Sequence, residues 1–351
     1  MKGPFSLFGR EHELLVGAGF GRSRNTQLRG NFPTTTMSAL GLTYAQGGGA
    51  LPEFDMSGLS YTNDLFSRKR SYLYAASQLN IADPVKLILG ARSTNYDQND
   101  VTNISWYNYN YRERGVFTPF AGLTVDVSRD VSLYASYASI FNVQGARDAN
   151  RQTLPPEEGL TYEIGAKGEF FEKRLNTSAA FFWVKTDNTA ETVGRTASGE
   201  TISRAVSGAT RRGWELEVSG ELARGWQAQG SFVLNNSSLS TSSTTPEQQF
   251  KIGSTYRFGR GPLSGLTIGG AARWQDTIST TRSVATLRQD AFWLVDLMAR
   301  YQINRNLSIS ANVNNAFDKK YFAGISNFNN QGLYYTWGAP RSLNVSARYD
   351  F

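Results

Sequence analysis

Apolar and polar residues alternate one for one along most of the chain. Between Asn306 and Asn314, Leu307, Ile309, Ala311 and Val313 share one side, and Ser308, Ser310 and Asn312 share the other. Trp293, Val295, Leu297, Ala299 and Tyr301 oppose Asp296, Arg300 and Gln302 in the same way, and Trp214, Leu216 and Val218 oppose Glu215, Glu217 and Ser219. At the end, Leu343, Val345, Ala347, Tyr349 and Phe351 oppose Ser342, Asn344, Ser346, Arg348 and Asp350. Side chains of a strand point to opposite faces in turn, so a period of two predicts strands with one apolar and one polar face.

The breaks sort by length. Short polar turns are predicted at Asp83-Pro84, Ser128-Arg129-Asp130, Glu172-Lys173-Arg174, Ala223-Arg224-Gly225 and Asn304-Arg305, with a slightly longer one from Gly259 to Gly265. Between them fall long Gly/Ser/Thr/Asn-rich stretches near 22–56, 98–112, 141–158, 189–206, 238–248, 278–290 and 317–340, read as loops. Strict alternation of short and long connections is the habit of a transmembrane β-barrel, with tight periplasmic turns and long extracellular loops. The count predicts an all-β, antiparallel barrel portion of about fourteen strands of roughly ten residues or more. An even number places both chain ends at the periplasmic rim. A soluble sandwich or propeller favours strands of about 5–6 residues and does not sort its connections this way. Tyr137, Trp214, Trp293, Tyr301, Tyr349 and Phe351 fall on apolar faces near predicted strand ends, where interfacial girdles form.

Composition narrows the chemistry. The longest apolar run is Ala179-Ala180-Phe181-Phe182-Trp183-Val184, far short of the roughly 20 residues that a membrane-spanning helix needs. The 351 residues include no cysteine, which excludes disulfides, thiol nucleophiles and thiolate metal sites. The net charge is +7, but Lys and Arg are scattered among Asp and Glu, so no nucleic-acid partner is expected. Met1 to Arg10 lacks the apolar core and cleavage site of a secretory signal. His12 is the one histidine, and no catalytic partners group with it, so no enzyme is expected. Gly17-Ala18-Gly19-Phe20-Gly21 ends a strand rather than opening a helix, so these read as strand glycines and not a dinucleotide loop. Asp97-Gln98-Asn99-Asp100 begins like a calcium loop, but Val101 stands where a third oxygen ligand belongs, and a solvated polar loop is expected instead. No metal site and no cofactor are predicted.

Several stretches have counterparts, in the same order, in one known family. They are Phe8-Gly9-Arg10-Glu11-His12-Glu13-Leu14, Ala82-Asp83-Pro84-Val85-Lys86-Leu87-Ile88-Leu89-Gly90, and Leu133-Tyr134-Ala135-Ser136-Tyr137 with Phe141. Leu154-Pro155-Pro156-Glu157, Tyr162-Glu163-Ile164-Gly165-Ala166-Lys167 and Gly213-Trp214-Glu215-Leu216-Glu217 follow. The set closes with Asn312-Val313-Asn314-Asn315-Ala316-Phe317-Asp318-Lys319-Lys320-Tyr321 and the ending from Gly338 to Phe351. Together they resemble the C-terminal barrel of TonB-dependent outer-membrane ferric-siderophore receptors, of the hydroxamate, coprogen and pyoverdine type. The resemblance covers nearly all of residues 1–351 and implies a twenty-two-stranded barrel with a plugged lumen. Met1 then falls near the ninth strand, with signal peptide, energy-coupling box and plug outside the sequence, so TonB would act only through the missing plug.

The resemblance further implies a Gram-negative outer-membrane location, a ferric siderophore as ligand, iron carried by that ligand, and no enzymatic activity. Tyr349 and the terminal Phe351 resemble the signal read by the barrel-assembly machinery. Trp106, Tyr107, Tyr109, Tyr111 and Arg112 form one aromatic-cationic loop, and Tyr334, Tyr335 and Trp337 a second. Flat rings suit a bulky amphipathic chelate and Arg suits its residual negative charge, so these are the candidate ligand residues. Outer Lys and Arg are candidates for lipopolysaccharide phosphates, beside ordinary outer-membrane lipid. Two other readings remain: a self-contained passive fourteen-strand barrel, which requires Glu11–Gly21 to pair with Arg341–Phe351, and a truncation without function. A soluble β-enzyme is the fourth.

Overall fold

The computed structural model describes residues 1–31, 60–102, 108–197, 199–238, 244–282, 285–328 and 332–351. Every regular element among them is a strand. The first eight are β1 (Lys2–Leu7), β2 (Arg10–Asn31), β3 (Ser60–Ala82), β4 (Val85–Val101), β5 (Tyr109–Asp126), β6 (Val131–Asn142), β7 (Glu157–Phe170) and β8 (Leu175–Asp187). A side hairpin of β9 (Thr189–Arg195) and β10 (Thr201–Val206) precedes β11 (Ala209–Ala223), β12 (Trp226–Ser237), β13 (Gln248–Arg257) and β14 (Leu266–Gln275). The hairpin β15 (Ile278–Arg282) and β16 (Ala285–Gln289) leads to β17 (Phe292–Gln302) and β18 (Leu307–Asn314). The hairpin β19 (Phe322–Phe328) and β20 (Gly332–Trp337) leads to β21 (Ser342–Tyr349).

Fifteen of these strands form one antiparallel sheet in sequence order, and the three hairpins stand outside it as two-stranded sheets. The sheet has one strand more than the fourteen predicted. The addition is β1, which turns back on β2 at Phe8-Gly9 with Leu7 opposite Arg10. Pro4 hid it, because a proline inside a run argues against a strand unless the strand lies at an edge, as β1 does here. This moves one chain end. Met1 exchanges hydrogen bonds with Val16, well up β2, instead of lying at the rim of short turns. The other end lies where expected, since the Asp350 amide donates to Asn306 O in the β17–β18 turn. No pairing joins β21 to β1 or β2 among the described residues, so the closure required by the self-contained barrel is not formed.

The long polar stretches also differ from their reading as loops. β2 pairs with β3 out to Asn31 and Ser60, and β4 with β5 out to Asp100 and Tyr109. Beyond a membrane both faces of a sheet are wet, so the apolar alternation stops while the backbone ladder continues. Asp97–Asp100 accordingly lies within β4, not in a loop.

The register sorts side chains onto two faces. Val16, Leu73, Leu89, Leu123, Ile164, Leu216, Ile252, Leu297 and Val345 share the outward face, and most are substantially exposed. Outward rings form a band in which Tyr137 meets Tyr162 (5.5 Å between centroids), Tyr162 meets Trp183 (5.7 Å) and Phe181 meets Trp214 (5.1 Å). The inward face carries Glu163, Lys167, Glu215, Glu217, Lys251, Arg273 and Asp296. Few apolar side chains are buried, as expected when the apolar surface faces lipid and not a core. Gly17 and Gly19 lie on the inward face under Tyr74 and Tyr72, and a Cβ at either would meet the ring at 2.4 Å. That contact explains the glycine string.

Candidate functional site

The long-connection ends of β4 and β5 build the first aromatic group. Asp100 lies opposite Tyr109, Gln98 opposite Tyr111 and Tyr96 opposite Glu113, all on the inward face. The Tyr109 and Tyr111 rings stack at 6.1 Å, tilted by only 6°. Tyr96 joins them from β4, touching Phe141 of β6 at 5.4 Å and lying 4.9 Å beneath the Arg70 guanidinium of β3. Tyr96 and Tyr109 are both buried, so they form the floor of the group, while Tyr111 is partly open. Sequence reading missed Tyr96, Phe141 and Arg70, which come from three other strands.

Arg112 points the other way. Period two puts it outward when Tyr109 and Tyr111 face inward, and it pairs there with Asp97 at 3.0 Å. Its row crosses four strands: Arg22, Lys69, Asp97 and Arg112 lie opposite one another in turn, with Arg114 4.0 Å from Asp97. Trp106 and Tyr107 lie outside the described residues.

The connection between β6 and β7 folds onto the same end. Arg147 Nη2 donates to Asn108 O, and Nη1 donates to Arg151 O at 2.6 Å. The Ser203 amide of β10 donates to Arg147 O at 2.7 Å, so one residue ties the β5 end, its own loop and the β9–β10 hairpin.

The second group rides on β19–β20. Tyr335 and Trp337 pack around Phe322 at 4.5 and 4.8 Å, and both remain about half exposed. Tyr334 takes the opposite face of β20. The hairpin packs against β15 and β16, and Ile278 of β15 and Ile325 of β19 are buried. Its base is fixed by Asn315, in the left-handed conformation at φ 46°. The Asn315 side chain donates to Lys319 O (2.9 Å) and Ala339 O (3.1 Å) and accepts from the Lys319 amide (2.8 Å). Among the described residues no ring contact joins the two aromatic groups, which stand on strands far apart in the sheet, β5 fifth and β18 fourteenth.

The remaining singled-out residues have structural places. His12 is buried, its Nδ1 accepts the Asn80 amide at 3.0 Å and its Nε2 lies 3.0 Å from Leu7 O. With both nitrogens engaged by backbone across β1 and β3, the ring is a strand clamp and not a free base. Tyr349 faces outward and meets Phe351 edge-on at 5.2 Å. No group of three or more His, Asp or Glu that could hold a metal ion occurs among the described residues.

An open antiparallel sheet with an apolar outer face, a charged inner face and short turns at one rim is part of a β-barrel wall. The chain belongs to the TonB-dependent receptor-like β-barrel family, whose pattern matches residues 2–316. It is 36% identical to the ferric-pyoverdine 358 receptor of Pseudomonas putida, over 100% of this chain and 43% of that protein. It is 37% identical to the ferripyoverdine receptor of Pseudomonas aeruginosa, over 100% of this chain and 44% of that protein. The solved structure of the latter organism's outer-membrane ferripyoverdine receptor, bound to ferripyoverdine, matches with a TM-score of 0.81 at 33% identity. That match covers 100% of this chain and 47% of the other. The chain therefore spans a little under half the length of these relatives.

Proposed function

We propose that this chain forms most of the barrel wall of a Gram-negative outer-membrane receptor that takes up a ferric siderophore of the pyoverdine class. The observation that carries the reading is the match over the whole chain, at 36–37% identity, to receptors named for ferric pyoverdine. The outer aromatic groups supply the chemistry. Tyr111 on the first, and Phe322, Tyr335 and Trp337 on the second, offer ring faces to a planar chromophore or chelate from two sides of the mouth. Arg70, above Tyr96, offers a cation to a ligand anion. The iron belongs to the ligand, so the wall binds and guides, and performs no bond chemistry. A lumen-filling plug from another part of the protein would face Glu163, Glu215 and Glu217, and TonB would act through it. The outward row of Arg22, Lys69, Arg112 and Arg114 has Asp97 as its one carboxylate among the described residues and suits lipopolysaccharide phosphates.

The test is fluorescence quenching of the intact receptor by ferric pyoverdine, with ferrichrome as the contrasting chelate. Tyr335→Ala and Trp337→Ala should each weaken pyoverdine binding on the order of tenfold, the loss of one well-packed ring. Unchanged affinity in both variants, with the barrel folded, sinks the assignment of that surface. Equal affinity for the two chelates sinks the pyoverdine class.

A further inference from the structure

The lumen face of a barrel is polar as a rule, and β2–β5 depart from it below the mouth. Four rows of inward residues cross these strands: Gly21–Arg70–Tyr96–Glu113, Gly19–Tyr72–Thr94–Val116, Gly17–Tyr74–Arg92–Thr118 and Leu15–Ala76–Gly90–Phe120. They start at the buried Tyr96 and run down β4 to Gly90, about 20 Å along the strand. In the second, third and fourth rows a ring lies down over a glycine. A Cβ at Gly19 would stand 2.4 Å from the Tyr72 ring, one at Gly17 2.4 Å from Tyr74, and one at Gly90 2.3 Å from Phe120. The missing side chains let each ring rest against the sheet with its other face toward the lumen. Tyr72 and Tyr74 stand 6.2 Å apart, tilted by 32°, and none of the three rings is buried. Gly21 has open space where a ring would lie, because Arg70 opposite it reaches over Tyr96 at 4.9 Å.

Two cations accompany the rings. Arg70 precedes Tyr72 on the inward face of β3, and Arg92 lies opposite Tyr74. Neither guanidinium has an ion pair among the described residues, and Arg92 is exposed. The one carboxylate in the four rows, Glu113, lies at the mouth end. Open ring faces beside unpaired cations bind planar ligands that carry negative charge. We propose that Tyr72, Tyr74 and Arg92, entered past Arg70, form a second ligand station on the lumen wall, which the anionic ferric chelate occupies after leaving the mouth. The mouth groups then set affinity, and the station sets how fast the bound chelate moves inward. The inference rests on the receptor reading above and adds where the ligand goes next.

The experiment uses cells that make the intact receptor and ferric pyoverdine loaded with radioactive iron. Surface binding is read in de-energised cells and uptake in energised ones. A second chelate, the same pyoverdine with its free carboxylate converted to an amide, carries less negative charge. Arg92→Gln should leave surface affinity within about twofold and slow uptake of the anionic chelate on the order of tenfold, the loss of one charged hydrogen bond. Uptake of the amide should change by less than about twofold, since it lacks the anion that Arg92 meets. Arg92→Lys should restore most of the uptake, because the charge is kept. Tyr72→Leu and Tyr74→Leu should each slow uptake of both chelates about fivefold through loss of one ring face, which keeps the test intact if Arg92→Gln does not reach the membrane. Equal slowing of the two chelates by Arg92→Gln, or no rescue by Arg92→Lys, overturns the proposal, since a contact with the plug would act on both alike. So does surface affinity lost in step with uptake, which would put Arg92 in the mouth site, or wild-type uptake in Arg92→Gln and both tyrosine variants. A wild-type receptor that neither binds nor imports ferric pyoverdine overturns the receptor reading itself.

Discussion

Val218 lies on the outward face of β11, opposite Gly230 and Thr177. It stands five residues from Ala223 at the rim. At about 3.3 Å per residue and a tilt of about 40°, that is about 13 Å into the bilayer, half of an apolar band about 25 Å tall. Trp226, paired with Ala223, and Trp214, nine residues up β11, mark the two edges of that band about 23 Å apart. An Arg at the midplane of a barrel's lipid face costs about 2–4 kcal/mol, a factor of about 30 to 900 in the folding equilibrium. The adjacent Ser219 faces the lumen, where an Arg keeps its water, so Ser219→Arg should fall within about 0.5 kcal/mol of wild type. The assay is reversible guanidinium unfolding of the intact receptor into lipid vesicles, followed by tryptophan fluorescence, with Val218→Arg and Ser219→Arg compared. A large loss confined to Val218→Arg is expected. Equal losses, or a larger loss at Ser219, would show that the faces have been assigned wrongly and refute the membrane orientation.

Three further outcomes follow from single residues. His12→Leu leaves the Asn80 amide and the Leu7 carbonyl without partners, a cost of about 1–3 kcal/mol for each buried orphan, and hydrogen exchange at Asn80 should quicken while exchange in β11 does not. Asn315→Ala removes three side-chain hydrogen bonds at about 1 kcal/mol each and adds left-handed strain, so proteolysis should open the β19–β20 hairpin before the sheet. Arg147→Ala frees Asn108 O and Arg151 O but keeps the Ser203 contact through backbone; cleavage within 143–156 should appear with the unfolding midpoint almost unmoved.

The wall was legible in the sequence because lipid on one side and water on the other impose period two on every spanning strand. Six of the seven short turns could be placed for the same reason, since each interrupts a clear alternation. Phe8-Gly9 was not, because β1 carries Pro4 and too little alternation to read. The outer hairpins were lost because the strands of β9–β10, β15–β16 and β19–β20 are only five to seven residues long, too short within Gly/Ser/Thr/Asn-rich stretches to show a period. The candidate ligand residues were found by ring density alone. Parity within Tyr109–Arg112 already implied that the arginine faces away from the tyrosines. Tyr96 and Phe141 could not be found, because what joins them to Tyr109 and Tyr111 is register between strands far apart in sequence.

The ladder also sets how the wall bears load. A force drawn along the barrel axis by whatever fills the lumen pulls nearly along the strands, and the interstrand hydrogen bonds run across them. Each seam is then strained in shear, where its bonds must fail together, rather than peeled one at a time. The seams are unequal: β11 and β12 share twelve residue pairs, β5 and β6 seven, and β17 and β18 six. A wall built this way resists a pull along its axis, and if it yields, it yields first along β17–β18 and the equally short β1–β2 seam, then along β5–β6.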